Sequence, residues 1–207
     1  MLLIGTYLSP FARRVAAALV SRDIRFEHDD LNGYADPVRA LSLNPVGKVP
    51  ILRLDSGECL IDSAAILDHL NEGLPPPLSL LPAAGAERRE VLRLAAIATT
   101  IYERSTVCYF EALQRPDRRR QDIIDAQEPP IVGGLRALDA ASAPGGAIGS
   151  RPFSIATLSA VIAREYLAIA MPELRLGALA PALASVSTML ADDRAFAATR
   201  PFVAGDA

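Results

Sequence analysis

The chain has 207 residues, 51% of them hydrophobic and 22% charged, with a net charge of -3 at pH 7. This composition suits a packed core and excludes intrinsic disorder, and the charge argues against a nucleic-acid surface, which draws its affinity from clustered Lys and Arg. The length accommodates one large domain or two small ones, and two is the working number.

From the N-terminus, Leu2-Leu3-Ile4 predicts a strand, and Phe11, Val15, Ala18 and Leu19 recur behind it at helical spacing. Arg25 to His28 predicts a second strand, Pro37 to Leu43 a short helix, Val49 to Leu54 a third strand, and Glu58 to Ile61 a fourth across the Asp55-Ser56-Gly57 turn. A helix from Ser63 to Asn71 follows. The order βαβαββα calls for a sheet with parallel and antiparallel pairs, because a helical crossover permits parallel neighbours while a tight turn enforces antiparallel ones. Gly73 and the prolines Pro75, Pro76, Pro77 and Pro82 end this pattern, which gives a first domain over 1–74, a linker over 75–85 and a second domain over 86–207.

The second domain reads as all-helical. Glu87 to Leu113 places Val91, Leu94, Ala95, Ala98, Ile101 and Tyr102 on one face, and a helix from about Arg120 to Ala141 comes next. After the loop Ala143-Pro144-Gly145-Gly146, two more stripes follow: Ile155, Leu158, Ile162, Tyr166 and Ile169, then Leu179, Leu183, Val186 and Leu190. Arg118-Arg119-Arg120, the basic run, sits among Asp117 and Asp122 and reads as a solvated helix face. Cys59 and Cys108 have no metal-ligand spacing, so no metal is expected, and both are expected as buried structural thiols. Met1 to Gly5 runs into polar Thr6 and Ser9 without a basic leader or long apolar stretch, and Phe153 to Ala163 is too short to span a bilayer. A cytoplasmic protein with no membrane partner is the expectation.

Three local features carry chemistry. Ser9 precedes Pro10 at a helix start, where proline is tolerated, and it is open to two readings. It is either an N-cap that contributes about 1 kcal/mol or a hydroxyl beside a positive helix end that stabilises a thiolate. In Asn44-Pro45-Val46-Gly47-Lys48-Val49-Pro50, a proline just before a strand marks a strand start, edge or bulge, and a cis Pro50 would turn the Val49 backbone outward as a docking edge for a peptide ligand. Asp62-Ser63 opens a further helix. Its free N–H groups and hydroxyl suit an α-carboxylate, and the Asp62 carboxylate suits an α-ammonium; plain capping explains the same residues.

In combination these features resemble a known family. Ser9-Pro10-Phe11-Ala12-Arg13-Arg14-Val15, Asn44 to Pro50 and Asp62-Ser63-Ala64-Ala65-Ile66-Leu67 are similar to motifs of bacterial cytosolic glutathione S-transferases with a serine-type site. Pro152-Phe153-Ser154-Ile155-Ala156 and Asp192 to Pro201 extend the likeness through the helical half. The resemblance implies a thioredoxin-like N-terminal domain before an all-helical C-terminal domain, glutathione as co-substrate, and a cytoplasmic homodimer. The implied activity is transfer of glutathione to a small apolar electrophile, a chemistry that serves detoxification. It further implies that Ser9 contacts the sulfur, that Phe11, Val49 and Pro50 help seat the tripeptide, and that Asp62 and Ser63 hold the γ-glutamyl end. Lys48 is implied for the glycyl carboxylate, with a solvated loop lysine as the alternative. Tyr7 is the alternative hydroxyl for the sulfur. The electrophile pocket is expected between the domains, with Tyr7, Tyr102 and Tyr109 among its lining residues.

Two departures matter. Serine at position 9, where some subgroups carry cysteine, weakens the alternative of a glutathione-dependent reductase or peroxidase; a noncatalytic glutathione-binding module is the other alternative. Thr157 stands where the family's buried capping motif usually has an acid after its serine, here Ser154.

Overall fold

The structure is a computed structural model that describes residues 1–114 and 116–201. The chain divides into two compact units, one from Met1 to Leu80 with the segment from Asp192 onward, the other from Leu81 to Ala191. The segment from Asp192 therefore packs with the first unit, and positions 202–207 of the expected second domain lie outside the described residues.

The first unit runs β1 (Leu2–Ile4), α1 (Pro10–Ser21), β2 (Glu27–Asp29), α2 (Pro37–Leu43), β3 (Ile51–Arg53), β4 (Cys59–Ile61) and α3 (Ser63–Glu72). The sheet order is β2-β1-β3-β4, with β1 parallel to β2 and antiparallel to β3, and β3 antiparallel to β4. This is the expected thioredoxin-like mixed sheet. The strands are shorter than their apolar runs. β3, for example, starts only after Pro50, which has no N–H to give to a ladder. Ile4, Leu31, Ala40 and Ile51 form one buried cluster, against which Leu2, Leu43 and Val49 pack, so α2 is pinned to the sheet through Ala40. Truncating a fully buried residue such as Ile51 to alanine costs about 3 kcal/mol.

α1 is buried almost all round, from Ala12 to Leu19, and this includes two arginines, Arg13 and Arg14. Its alanines Ala16, Ala17 and Ala18 are fully covered, which lets the helix backbone lie close to its neighbours. Asn71 on α3 accepts from the Ser79 hydroxyl at 2.9 Å and the Leu80 N–H at 2.8 Å, which ties the proline-rich segment back to the unit.

The second unit contains α4 (Gly85–Tyr109), a π-helical turn (Phe110–Gln114), α5 (Gln121–Ser142), α6 (Ala147–Ser150), α7 (Ile155–Ala170), α8 (Leu176–Leu179) and α9 (Pro181–Leu190). α4 packs against α5 and α7, burying the predicted stripe Val91, Leu94, Ala98, Ile101 and Tyr102. α5 continues through Pro129 and Pro130 because both are exposed, so the carbonyls that lose an N–H partner face water. At the start of α7, the Ser154 Oγ accepts the Thr157 N–H at 3.1 Å and lies 3.1 Å from the Thr157 Oγ1. Thr157 in turn donates to the Arg151 carbonyl at 2.9 Å. A threonine thus closes the buried cap by a route that an acid would not take.

The segment from Asp192 carries α10 (Arg194–Ala197), which packs on α1. The Arg13 Nε donates to the Thr199 carbonyl at 2.8 Å, both groups buried. Arg194 reaches the Val20 carbonyl at 3.0 Å and pairs with Asp23. Among the described residues, no helix is long and apolar enough to cross a membrane.

Candidate functional site

Ser9 caps α1 in extended backbone, φ -72° and ψ 116°, with Pro10 following in the first turn. Its Oγ lies 3.5 Å from the Ala12 N–H, at the outer limit of a hydrogen bond, and the side chain is half-buried. The hydroxyl is therefore only lightly committed to capping.

Val49 is brought to this helix start by Gly5. At φ +145°, Gly5 ends β1 in a conformation that L side chains rarely adopt, and a Cβ there would sit 3.0 Å from both the Ala12 Cβ and the Val49 Cβ. The bond between Val49 and Pro50 is cis. The loop before it is organised by Asn44, which is 2% exposed, donates from Nδ2 to the Lys48 carbonyl at 2.8 Å and accepts the Val46 N–H at 3.1 Å. Lys48 itself is exposed.

Asp62 stands at φ +44° and ψ 144°, left-handed backbone that is uncommon for a residue other than glycine, and its Oδ1 accepts the Ala64 N–H at 2.7 Å. Its carboxylate is exposed. Ser63 is buried, and its Oγ accepts from the Arg14 Nε at 3.1 Å. Hence α1 touches both other segments: through Ala12 it meets the Gly5–Val49 contact, and through Arg14 it meets Ser63. Phe11 occupies the first turn of the same helix and is half-buried.

Tyr7 stacks on His28 with ring centroids 4.0 Å apart and planes 8° from parallel, while the His28 Nε2 bonds the Gly5 carbonyl at 2.9 Å. Burial, and secondarily the Asp30 carboxylate, push the Tyr7 phenol above its ordinary pKa, so it stays protonated near neutrality.

The structure corrects two expectations. Tyr102, expected on a pocket wall, is fully buried inside the helical unit and donates its hydroxyl to the Ser159 carbonyl at 2.7 Å. A long amphipathic helix puts it on the core stripe, so it is a core residue and not a pocket residue. Tyr109 is half-buried, edge-on to Phe110 at 5.5 Å. Cys59, expected buried, is exposed, because β4 is the edge strand and the alternation of a three-residue strand turns Cys59 and Ile61 outward. Cys108 is buried as expected, and burial pushes its thiol up to about 11.

Sequence reasoning assigned no role to Gly5, Asn44 or Arg14. The readable signal for Arg14 was two arginines inside an otherwise apolar helix, since buried charge persists only when it is paired.

A family model described as "Glutathione S-transferase, N-terminal domain" matches residues 3–77. The uncharacterized GST-like protein YibF of Escherichia coli (strain K12) is 28% identical over 167 residues, covering 81% of this chain and 82% of that protein. The maleylacetoacetate isomerase of Pseudomonas aeruginosa is 37% identical over 95 residues, 42% of this chain and 45% of the isomerase. A glutathione transferase family member from Pseudomonas fluorescens Pf-5, whose crystal structure has bound glutathione, is 32% identical, covers 98% of this chain and 99% of its own, and superposes with a TM-score of 0.84. With that likeness running nearly from end to end, the chain belongs to the glutathione S-transferase family.

Proposed function

We propose that the first unit binds glutathione and that the protein transfers its thiolate to a small apolar electrophile. The observation that carries this reading is the convergence of Ser9, Val49 and Ser63 on the single helix α1, in a chain 32% identical to a family member with bound glutathione. The Ser9 hydroxyl donates to the sulfur beside the positive end of α1, the Val49 backbone takes the cysteinyl unit, and Asp62 with Ser63 holds the ammonium and carboxylate of the γ-glutamyl end. Lys48, exposed in the loop, takes the glycyl carboxylate. No metal enters this chemistry.

In the reaction the thiol loses its proton to solvent, and the sulfur electron pair forms a C–S bond. A leaving group departs with its own pair in substitution; in addition to a conjugated double bond, the enolate takes up a proton. A thiol of pKa about 8.5 is only about 3% thiolate at pH 7, and lowering it by about two units gives roughly 75%. Nucleophilicity falls about six- to tenfold over the same change, which leaves a gain of a few-fold. Most of the acceleration therefore comes from holding thiolate and electrophile together.

Two observations weigh against a reductase that uses the protein's own thiols: position 9 is serine, and the Cys108 thiol is pushed up to about 11. The test is glutathione conjugation to an aryl halide, with Ser9→Ala as the variant. A full wild-type rate in that variant removes Ser9 from the mechanism, and loss of activity in Cys59→Ser instead turns the assignment to thiol–disulfide chemistry. The homodimer expected for such an enzyme is tested by sedimentation.

A further inference from the structure

We propose that Arg14 is a positioning residue for the carboxylate end of the glutathione site, acting through Ser63; this rests on the glutathione reading above. α1 buries two adjacent arginines, and they serve different ends. The Arg13 Nε goes to a backbone carbonyl, that of Thr199, and fastens the C-terminal segment. The Arg14 Nε goes to a side chain, the Ser63 hydroxyl at the first residue of α3, with Arg14 3% and Ser63 1% exposed.

The chemistry of the two groups sets the direction of this bond. A guanidinium only donates, whereas a serine hydroxyl has one hydrogen to give and two lone pairs to receive with. With Arg14 donating, the Ser63 oxygen is an acceptor on that side and its own hydrogen is the part left to give away. A carboxylate requires donors. Without Arg14 to hold the oxygen as an acceptor, the hydroxyl would be open to rotate and give its hydrogen to a nearby backbone carbonyl, and would then offer only lone pairs to an anion. With Asp62 as the cap of α3, Arg14 thus fixes the Ser63 hydroxyl as an anion-facing donor.

The backbone N–H groups at the start of α3 supply a positive end of their own beside the Ser63 hydroxyl. Asp62 takes one of them, its Oδ1 accepting the Ala64 N–H at 2.7 Å. Arg14 lies five residues beyond Ser9, about 7.5 Å along the helix axis at 1.5 Å per residue, so one helix fixes the spacing between the sulfur end and the γ-glutamyl end.

The experiment measures binding by titration calorimetry for wild type, Arg14→Met, Ser63→Ala and the double variant. It uses two ligands: glutathione, and 4-aminobutanoyl-cysteinylglycine, which lacks only the α-carboxylate. Arg14→Met is expected to weaken glutathione about tenfold and the decarboxylated analogue less than about twofold. In the Ser63→Ala background the same change should cost glutathione less than about threefold. Equal losses on both ligands, or an undiminished loss without Ser63, overturn the proposal and make Arg14 a structural residue. If Arg14→Met does not fold, Arg14→Lys decides: a loss confined to glutathione supports the proposal, and a loss shared by both ligands overturns it. Wild type that binds neither ligand at millimolar concentration refutes the glutathione reading itself, and with it this inference.

Discussion

Ser9 and Ser154 are both serines at the start of a helix, yet the protein uses them in opposite ways. Ser154 is buried, bonded at 3.1 Å to both the N–H and the hydroxyl of Thr157, and that hydroxyl is itself bonded to Arg151. Ser9 is half-buried, and its bond to the Ala12 N–H is stretched to 3.5 Å. One hydroxyl is consumed by the fold and the other is left available. The cysteines repeat the contrast, Cys108 being buried and Cys59 exposed on the edge strand. Residue type is the same within each pair, so surroundings alone separate structure from chemistry.

The largest effect that could break this contrast is in thiol labelling. With its pKa at about 11, Cys108 is about 0.01% thiolate at pH 7 and is also covered, so an alkylating reagent should modify Cys59 at least a hundredfold faster, as read by mass spectrometry. The sign of the pH dependence follows: the fold favours the protonated thiol, so the stability gained is complete below pH 9 and is lost as pH rises from about 9 to about 11. Cys108→Ala should flatten that alkaline decline. Next, Ser154→Ala should lower stability by about 2 kcal/mol, a drop of roughly 4–8 °C in Tm, and leave conjugation at low temperature intact. An equal drop in Ser9→Ala would erase the distinction between the two serines.

Asp62→Asn sharpens the comparison at a third helix start. Asparagine tolerates the positive φ and still caps, so Tm should move by less than about 1 °C while glutathione binding weakens about tenfold. Ser9→Ala should reduce kcat/KM about three- to tenfold with little change in Tm, in line with the modest gain available from thiol activation. Tyr7→Phe should be the smallest, under about twofold, because stacking on His28 survives the loss of the hydroxyl. A larger loss there than in Ser9→Ala would exchange their roles.

Much of this was legible in the sequence because it depends on period and punctuation. The alternation of elements, the Pro37–Leu43 helix, the stripe on α4 and the mixed sheet all follow from apolar spacing and from where glycine and proline interrupt it. What was not legible depends on contacts between distant residues. Arg14 and Ser63 are 49 residues apart, and no local pattern marks their bond. Gly5 reads as an ordinary strand-end glycine until the Cβ positions of Ala12 and Val49 are known. Tyr102 shows the converse error, since an aromatic on a helix stripe carries the same signal whether it faces a pocket or the core. The exposure of Cys59 is hidden for a further reason: a three-residue strand at a sheet edge has an apolar run with only one covered face.

The bond from Arg13 to the Thr199 carbonyl closes over 186 residues, and it bears on when the protein can mature. A ribosome adds roughly 5–20 residues per second and delivers the N-terminal portion first. While the first 80 residues emerge, the buried arginine of α1 lacks its Thr199 acceptor, and the Val20 carbonyl and Asp23 await Arg194. The first unit is therefore completed only after the second has been translated. Translation that stops before Arg194 leaves the Arg13 Nε without the Thr199 carbonyl and Asp23 without its ion pair to Arg194.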